Sequence, residues 1–173
     1  MFRIDRPEPD EFFEYYGRYI GLSGEDAMAT LRASAAATPR LLSGITEPQA
    51  MFRYAPGKWS VKQVLGHIID CERVFMYRAL TFARGDQTSV PGFEEDEWME
   101  HCTFDRRALS DIVDEYVAVR AATIALAGSL DEVALTRRGT ANGRTMSTRA
   151  ALHCAAGHEL HHVSILKERY GLA

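Results

Sequence analysis

The chain has little cysteine, no long apolar run, no surplus of basic residues and almost no sign of β-structure. Each shortage removes a class of protein. Three cysteines in 173 residues, Cys71, Cys102 and Cys154, are odd in number and far apart. They make no disulfide framework and fit reduced thiols in a cytoplasmic protein. No stretch approaches the roughly 20 apolar residues that cross a bilayer. The opening MFRIDRPEPDEFFEYY is acidic where a secretory leader needs an apolar centre. No membrane partner is therefore expected. The 20 Lys and Arg stand against 24 Asp and Glu, a net charge of −4, so no broad basic surface for nucleic acid is expected either. There is no internal repeat and no low-complexity segment, and strand-like alternation is nearly missing.

What remains is helical. Hydrophobic residues make up 46% and charged residues 25%, which suits one globular domain over residues 1–173 with a sizeable core. A short N-terminal helix is expected over about 9–20. Ser23, with Asp26 three residues on, resembles a capping box for the alanine-rich segment that follows, and Pro39 inside that segment predicts a kink or break. PGKWSVKQVLGHIIDCERVFMYRALTFARG carries the strongest start: Ser60 as N-cap and Gln63 at the third helical position. Gly85 ends it. Residues 85–104 read as a long connection with one helical turn around Glu94–His101, and loops of that size are often functional. Asp105 is the expected cap of a helix running to about Ala127, TRRGTANGRTM a turn-rich link, and Ser147 the cap of a last helix closed by Gly171. The expected fold is all-α: a four-helix bundle with a short extra N-terminal helix.

The last helix contains GHELHH. His158-Glu159-Leu160-His161-His162 spells H-E-x-x-H, the pattern of zinc peptidases, in which the glutamate is the general base. Those enzymes lay extended substrate along a sheet edge, which this sequence does not offer, and VSILKERYG after His162 lacks the continuation with a third histidine. Helical geometry gives another reading. Positions i and i+4 share a face, so His158 and His162 can turn their imidazoles to one ion. His161 lies about 60° around the helix from His158 and could replace His162. Cys154 is on the same stripe. A third ligand must come from elsewhere, and His67 in LGHIIDCER is the best candidate, with Asp70 and Cys71 as its i+3 and i+4 neighbours.

Three neutral imidazoles with one open position form a catalytic type of site for zinc or a related divalent metal. Asp70 or Glu159 could orient a ring from behind. The alternative is a polar seam of satisfied core histidines. His101 and His153 belong to that alternative, one in a loop and one off the stripe. Trp59 and Trp98 read as core or loop anchors. Arg73 and Arg78 read as surface or interhelical ion pairs, with an anionic substrate as the other possibility for Arg78. His67 lies about seven residues into its helix and His158 about eleven into the last, so the helices must be offset or tilted to bring them together.

RYAPGKWSVKQVLGHIIDCERVFMYRALTFARGD, the loop VPGFEEDEW and GHELHHVSILKERYG together resemble the DinB/YfiT-like four-helix metalloproteins, and the likeness covers nearly the whole chain. It implies a three-histidine divalent metal site, zinc or nickel, on His67, His158 and His162. It also implies a small-molecule substrate and a homodimer. Some of these proteins look like bacillithiol- or mycothiol-dependent transferases, and others are called metal-dependent hydrolases. The expected function is thus a thiol-dependent S-transferase acting on a small electrophile. The alternatives are a hydrolase using the same site, or a non-catalytic metal-binding stress protein. No catalytic residue besides the ligands is assigned, and the resemblance carries no base role to Glu159.

Overall fold

The structure, a computed structural model, describes residues 2–173. Its helices are α1 (Gly17–Leu22), α2 (Ala27–Leu42), α3 (Glu47–Ala50), α4 (Val61–Ala83), α5 (Glu95–Glu100), α6 (Leu109–Gly128), α7 (Glu132–Thr136) and α8 (Thr148–Tyr170), with a two-stranded hairpin of β1 (Arg138–Ala141) and β2 (Arg144–Ser147). The long helices α2, α4, α6 and α8 form a four-helix bundle. α4 packs against both α6 and α8, and α2 closes the ring against the same two. No helix among the described residues is long and apolar enough to cross a membrane.

Two helix starts are capped locally, as expected, and the first is reciprocal. Ser60 Oγ accepts from the Gln63 N–H at 3.0 Å, and the Ser60 N–H donates to Gln63 Oε1 at 3.1 Å. Ser147 Oγ accepts from the Ala150 N–H, and α8 ends at Gly171 with φ +71°.

Other expectations fail, several because a distant partner takes the group. The 9–20 segment is two short 3₁₀ turns followed by α1, because Phe12 is extended and bridges to Met146 of β2. Ser23 caps nothing at an N-terminus: it closes α1, donating to the Ile20 carbonyl, and Asp26 caps α2 instead. Pro39 does not break α2, which continues to Leu42. Asp105 is engaged by Ser60 Oγ and Arg53, so α6 is capped by Glu47 Oε1, which accepts from the Leu109 N–H at 2.8 Å. The turn-rich link is the β1–β2 hairpin. Its turn is Asn142-Gly143, with φ +51° and +69°, and positive φ at both central positions is what a tight two-residue hairpin turn requires.

The core lies in two apolar parts. One gathers the second half of α4 (Cys71, Phe75, Phe82) with the start of α8 (Ala151, Leu152); the other gathers the first half of α4 (Val61, Leu65, Ile68) with the end of α8 (Leu166, Tyr170). The two helices therefore run antiparallel, which removes the difficulty of height: His67 near the start of α4 meets the later half of α8.

A buried polar knot lies between the two apolar parts. Arg120 of α6 is 1% exposed, and its Nε and Nη2 donate to both oxygens of Glu72 of α4 at 2.9 and 2.7 Å. Nη2 also reaches Glu159 of α8 at 2.6 Å, and Nη1 reaches Ser34 Oγ and the Leu31 carbonyl of α2. Thr38 and Tyr116 donate hydroxyl protons to Glu159. One guanidinium thus ties all four bundle helices. Removing one partner from such a knot leaves a buried charge uncompensated. Arg120→Met, which strands the carboxylates of Glu72 and Glu159, should lower the unfolding free energy by about 3–5 kcal/mol in urea titration, and adding Glu72→Gln and Glu159→Gln should recover part of that loss. Unchanged stability in Arg120→Met would contradict the structural role of this guanidinium.

Candidate metal centre

α8 works on two faces. Glu159 points into the bundle, so the neighbouring His158 and His162 point out of it, toward α1 and α4. His158 Nε2 lies 3.1 Å from His67 Nε2 and 3.1 Å from His162 Nε2. The three rings stand 4.5, 4.7 and 4.8 Å apart, centroid to centroid. The three residues singled out from the sequence are thus brought together.

The contacts suit a cation better than a proton. A neutral Nε2 carries either one hydrogen or one lone pair, so no choice of tautomers gives two well-directed hydrogen bonds at the single His158 Nε2. Three lone pairs on one small ion with Zn–N bonds of about 2.0–2.1 Å would stand about 3.3 Å apart in tetrahedral geometry, close to what is seen. Burial favours the neutral, ligating form of each ring. It pushes His67 down to about 4 and His162 down to about 2, and holds His158 well below the usual range; neighbouring imidazoles add to each effect. The donor set fits a divalent metal.

Cys71 stands beside the cluster. Its donor atom and those of His67 and His158 lie within 4.8 Å of one another. Its Sγ is 3.7 Å from both ring nitrogens of His67, so it is not in line with either lone pair. Burial raises the thiol well above its usual range and keeps it protonated without a metal. Cys154, the other stripe cysteine, is buried in the core.

His161 stacks edge-on to Tyr19 and His162 instead of replacing His162 in the cluster. Neither carboxylate expected to orient a ring does so: Glu159 belongs to the knot, and Asp70 pairs with Arg73 at 3.5 Å. His153 is a satisfied core residue, in contact with the Ile4 carbonyl and Ser23 Oγ, and His101 is exposed. Trp59, expected as a simple anchor, packs on the His67 ring at 4.7 Å. Trp98 is exposed and stacks on Phe93.

The three nitrogens open on a cavity of about 630 Å³, the scale of a small-molecule site. Its walls come from the N-terminal aromatic segment and α1 (Phe13, Tyr16, Tyr19), from α4 (Phe75, Arg78), from the loop before α5 (Phe93, Glu94) and from the hairpin tip (Asn142). Tyr19 packs edge-on to His158 at 5.2 Å. Sequence reasoning missed this wall. Its one local signal is Gly157, which stands where a Cβ would lie 1.8 Å from the Tyr19 carbonyl oxygen. The absent side chain lets α1 lie directly on α8.

The sequence matches the DinB superfamily over residues 30–166, and the chain belongs to that superfamily. Among solved structures it is similar to one described as "YfiT from Bacillus subtilis is a probable metal-dependent hydrolase with an unusual four-helix bundle topology". The likeness has a TM-score of 0.67 at 19% identity and covers 96% of this chain and 94% of that one. At that identity it speaks for the fold. No curated protein matches.

Gly157→Ala should cost about 1–3 kcal/mol, since the methyl must displace backbone. Gly128→Ala, where a Cβ meets nothing within 4 Å, should be neutral or slightly stabilising. Paired urea melts of the two variants check this, and equal effects would count against close packing of α1 on α8.

Proposed function

We propose that the chain is a metal-dependent enzyme whose His67, His158 and His162 hold one divalent ion, zinc or nickel, and that it transfers a low-molecular-weight thiol to a small electrophile. The observation that carries the metal reading is the convergence of three imidazoles, with His158 Nε2 at 3.1 Å from the Nε2 atoms of both His67 and His162. A divalent ion so held lowers the pKa of water bound at its open position toward about 7 and deprotonates a bound thiol outright.

The residues around it bear on which nucleophile is used. Water activated for hydrolysis usually needs a nearby carboxylate to take its proton. The glutamate that the H-E-x-x-H pattern would nominate is fully committed to Arg120, Tyr116 and Thr38. A thiol needs no such base once it meets the ion. Trp59, Tyr19 and Phe75 give the approach an apolar lining that suits a soft sulfur and a small electrophile. Hydrolysis is the second reading. It is favoured by Glu94 and Glu95, which line the cavity and could accept a proton, and by the description of the Bacillus subtilis neighbour as a probable metal-dependent hydrolase.

Protein purified without a histidine tag should carry about one equivalent of metal by elemental analysis. The His158→Ala/His162→Ala double variant should carry essentially none; equal metal in both would refute the site. With bacillithiol, mycothiol or glutathione and a reactive electrophile, turnover should require the thiol. Turnover that persists without it moves the assignment to hydrolysis, and metal without turnover on any substrate moves it to a binding role.

A further inference from the structure

The chain buries two arginines almost completely, and it treats them in opposite ways. Arg120 has two carboxylates, a hydroxyl and a carbonyl. Arg78 is equally withdrawn, at 2% exposed, yet among the described residues no Asp or Glu oxygen comes within 4.0 Å of its guanidinium. Its Nε has no partner at all, one of two buried side-chain polar atoms in that state among the described residues; the other is Thr123 Oγ1. What Arg78 does have is weak: the Tyr16 hydroxyl and the Pro91 carbonyl, both at 3.4 Å, and the Phe75 ring at 5.7 Å from Cζ.

An unpaired guanidinium is among the most costly groups to hide, and a position this poorly satisfied calls for a ligand. The side chain is placed to receive one. Arg78 lines the same cavity as the three histidines. It stands eleven residues after His67 on α4, which returns it to nearly the same helical face. The Phe75 ring, between the two, lies 6.1 Å from the His158 ring. A molecule of modest length can therefore touch the histidine cluster at one end and the guanidinium at the other.

We infer that Arg78 is a specificity residue that binds an anionic group of the cavity's small-molecule substrate, with two oxygens of a carboxylate or phosphate meeting the free Nε–H edge of the guanidinium. The planar fork suits such oxygen pairs. In the thiol reading above, on which the position of the other end rests, the substrate is an anionic thiol: sulfur at the histidines, negative charge at Arg78. Two other arginines line the cavity, but both are exposed, and Arg18 lies over the Tyr15 and Tyr19 rings and Arg144 over the Phe13 ring, which leaves Arg78 as the buried one.

The test uses metal-loaded protein and two matched pairs of probes in titration calorimetry: glutathione against its diethyl ester, and 4′-phosphopantetheine against pantetheine. Wild type should favour the charged member of at least one pair by roughly tenfold or more, and the pair that responds distinguishes carboxylate from phosphate. Arg78→Gln should bring that ratio close to one while leaving the neutral probe's affinity unchanged, and Arg78→Lys should restore part of it. A preference that survives in Arg78→Gln, or no preference and no binding in wild type, overturns the inference. Thermal melts of Arg78→Met guard against a merely structural role: without ligand this variant should melt at or above the wild-type temperature, and a marked drop would assign the arginine to the fold. The two readings fail separately. Equal binding of both members of each pair by protein that holds metal removes the anion site alone. Protein without metal that still discriminates through Arg78 removes the metal reading alone.

Discussion

The pairing of Arg120 with Glu72 and Glu159 is the constraint from which the rest of the molecule takes its orientation. It joins α4, α6 and α8 directly and α2 through Ser34 and the Leu31 carbonyl. A buried ion cluster is weak evidence for stability but a strong means of fixing register. Here it sets the rotation of α8 about its own axis. With Glu159 turned inward, the adjacent His158 is turned outward by about 100°, and His162 follows one turn later. The same constraint fixes α4, where Glu72 faces the knot while His67, Cys71 and Arg78 face the cavity.

This division also explains why H-E-x-x-H misleads. The pattern records which residues are neighbours along the chain, whereas the chemistry depends on which share a face. In a peptidase the glutamate must stand beside the metal-bound water. In this bundle it stands behind the helix, fully buried and bonded to three other side chains. Glutamate next to two histidines is therefore here a sign of how deeply α8 is embedded.

Much of the fold was legible in the sequence because its signals are short-range. The Ser60–Gln63 and Ser147 caps need only residues three apart, and the i,i+4 spacing of His158 and His162 needs only one turn of helix. The bundle and the pairing of those two with His67 followed. Features set by distant partners were not legible. Glu159 finds Arg120 across 39 residues, Phe12 is drawn straight by Met146, and Asp105 is diverted from α6 by Ser60 and Arg53. Arg78 was ambiguous because nothing local says whether an arginine finds a carboxylate. One readable signal was passed over: Asn142-Gly143 between short runs is a hairpin turn, and its strands carry one wall of the cavity.

That wall is made of short elements that also hold one another. The N-terminal segment meets the hairpin at the bridge Phe12–Met146, through Arg138 on Asp10 and through Arg144 on the Phe13 ring, and the long loop meets it at Val90–Ala141. The histidines, by contrast, stand on the two longest helices, each 23 residues. The histidine cluster and most of the wall around it are thus built from different kinds of element, long helices for the one and short turns, a loop and a hairpin for the other. Substitutions can recontour the outer shell, residue by residue, without disturbing the two helices that hold the imidazoles.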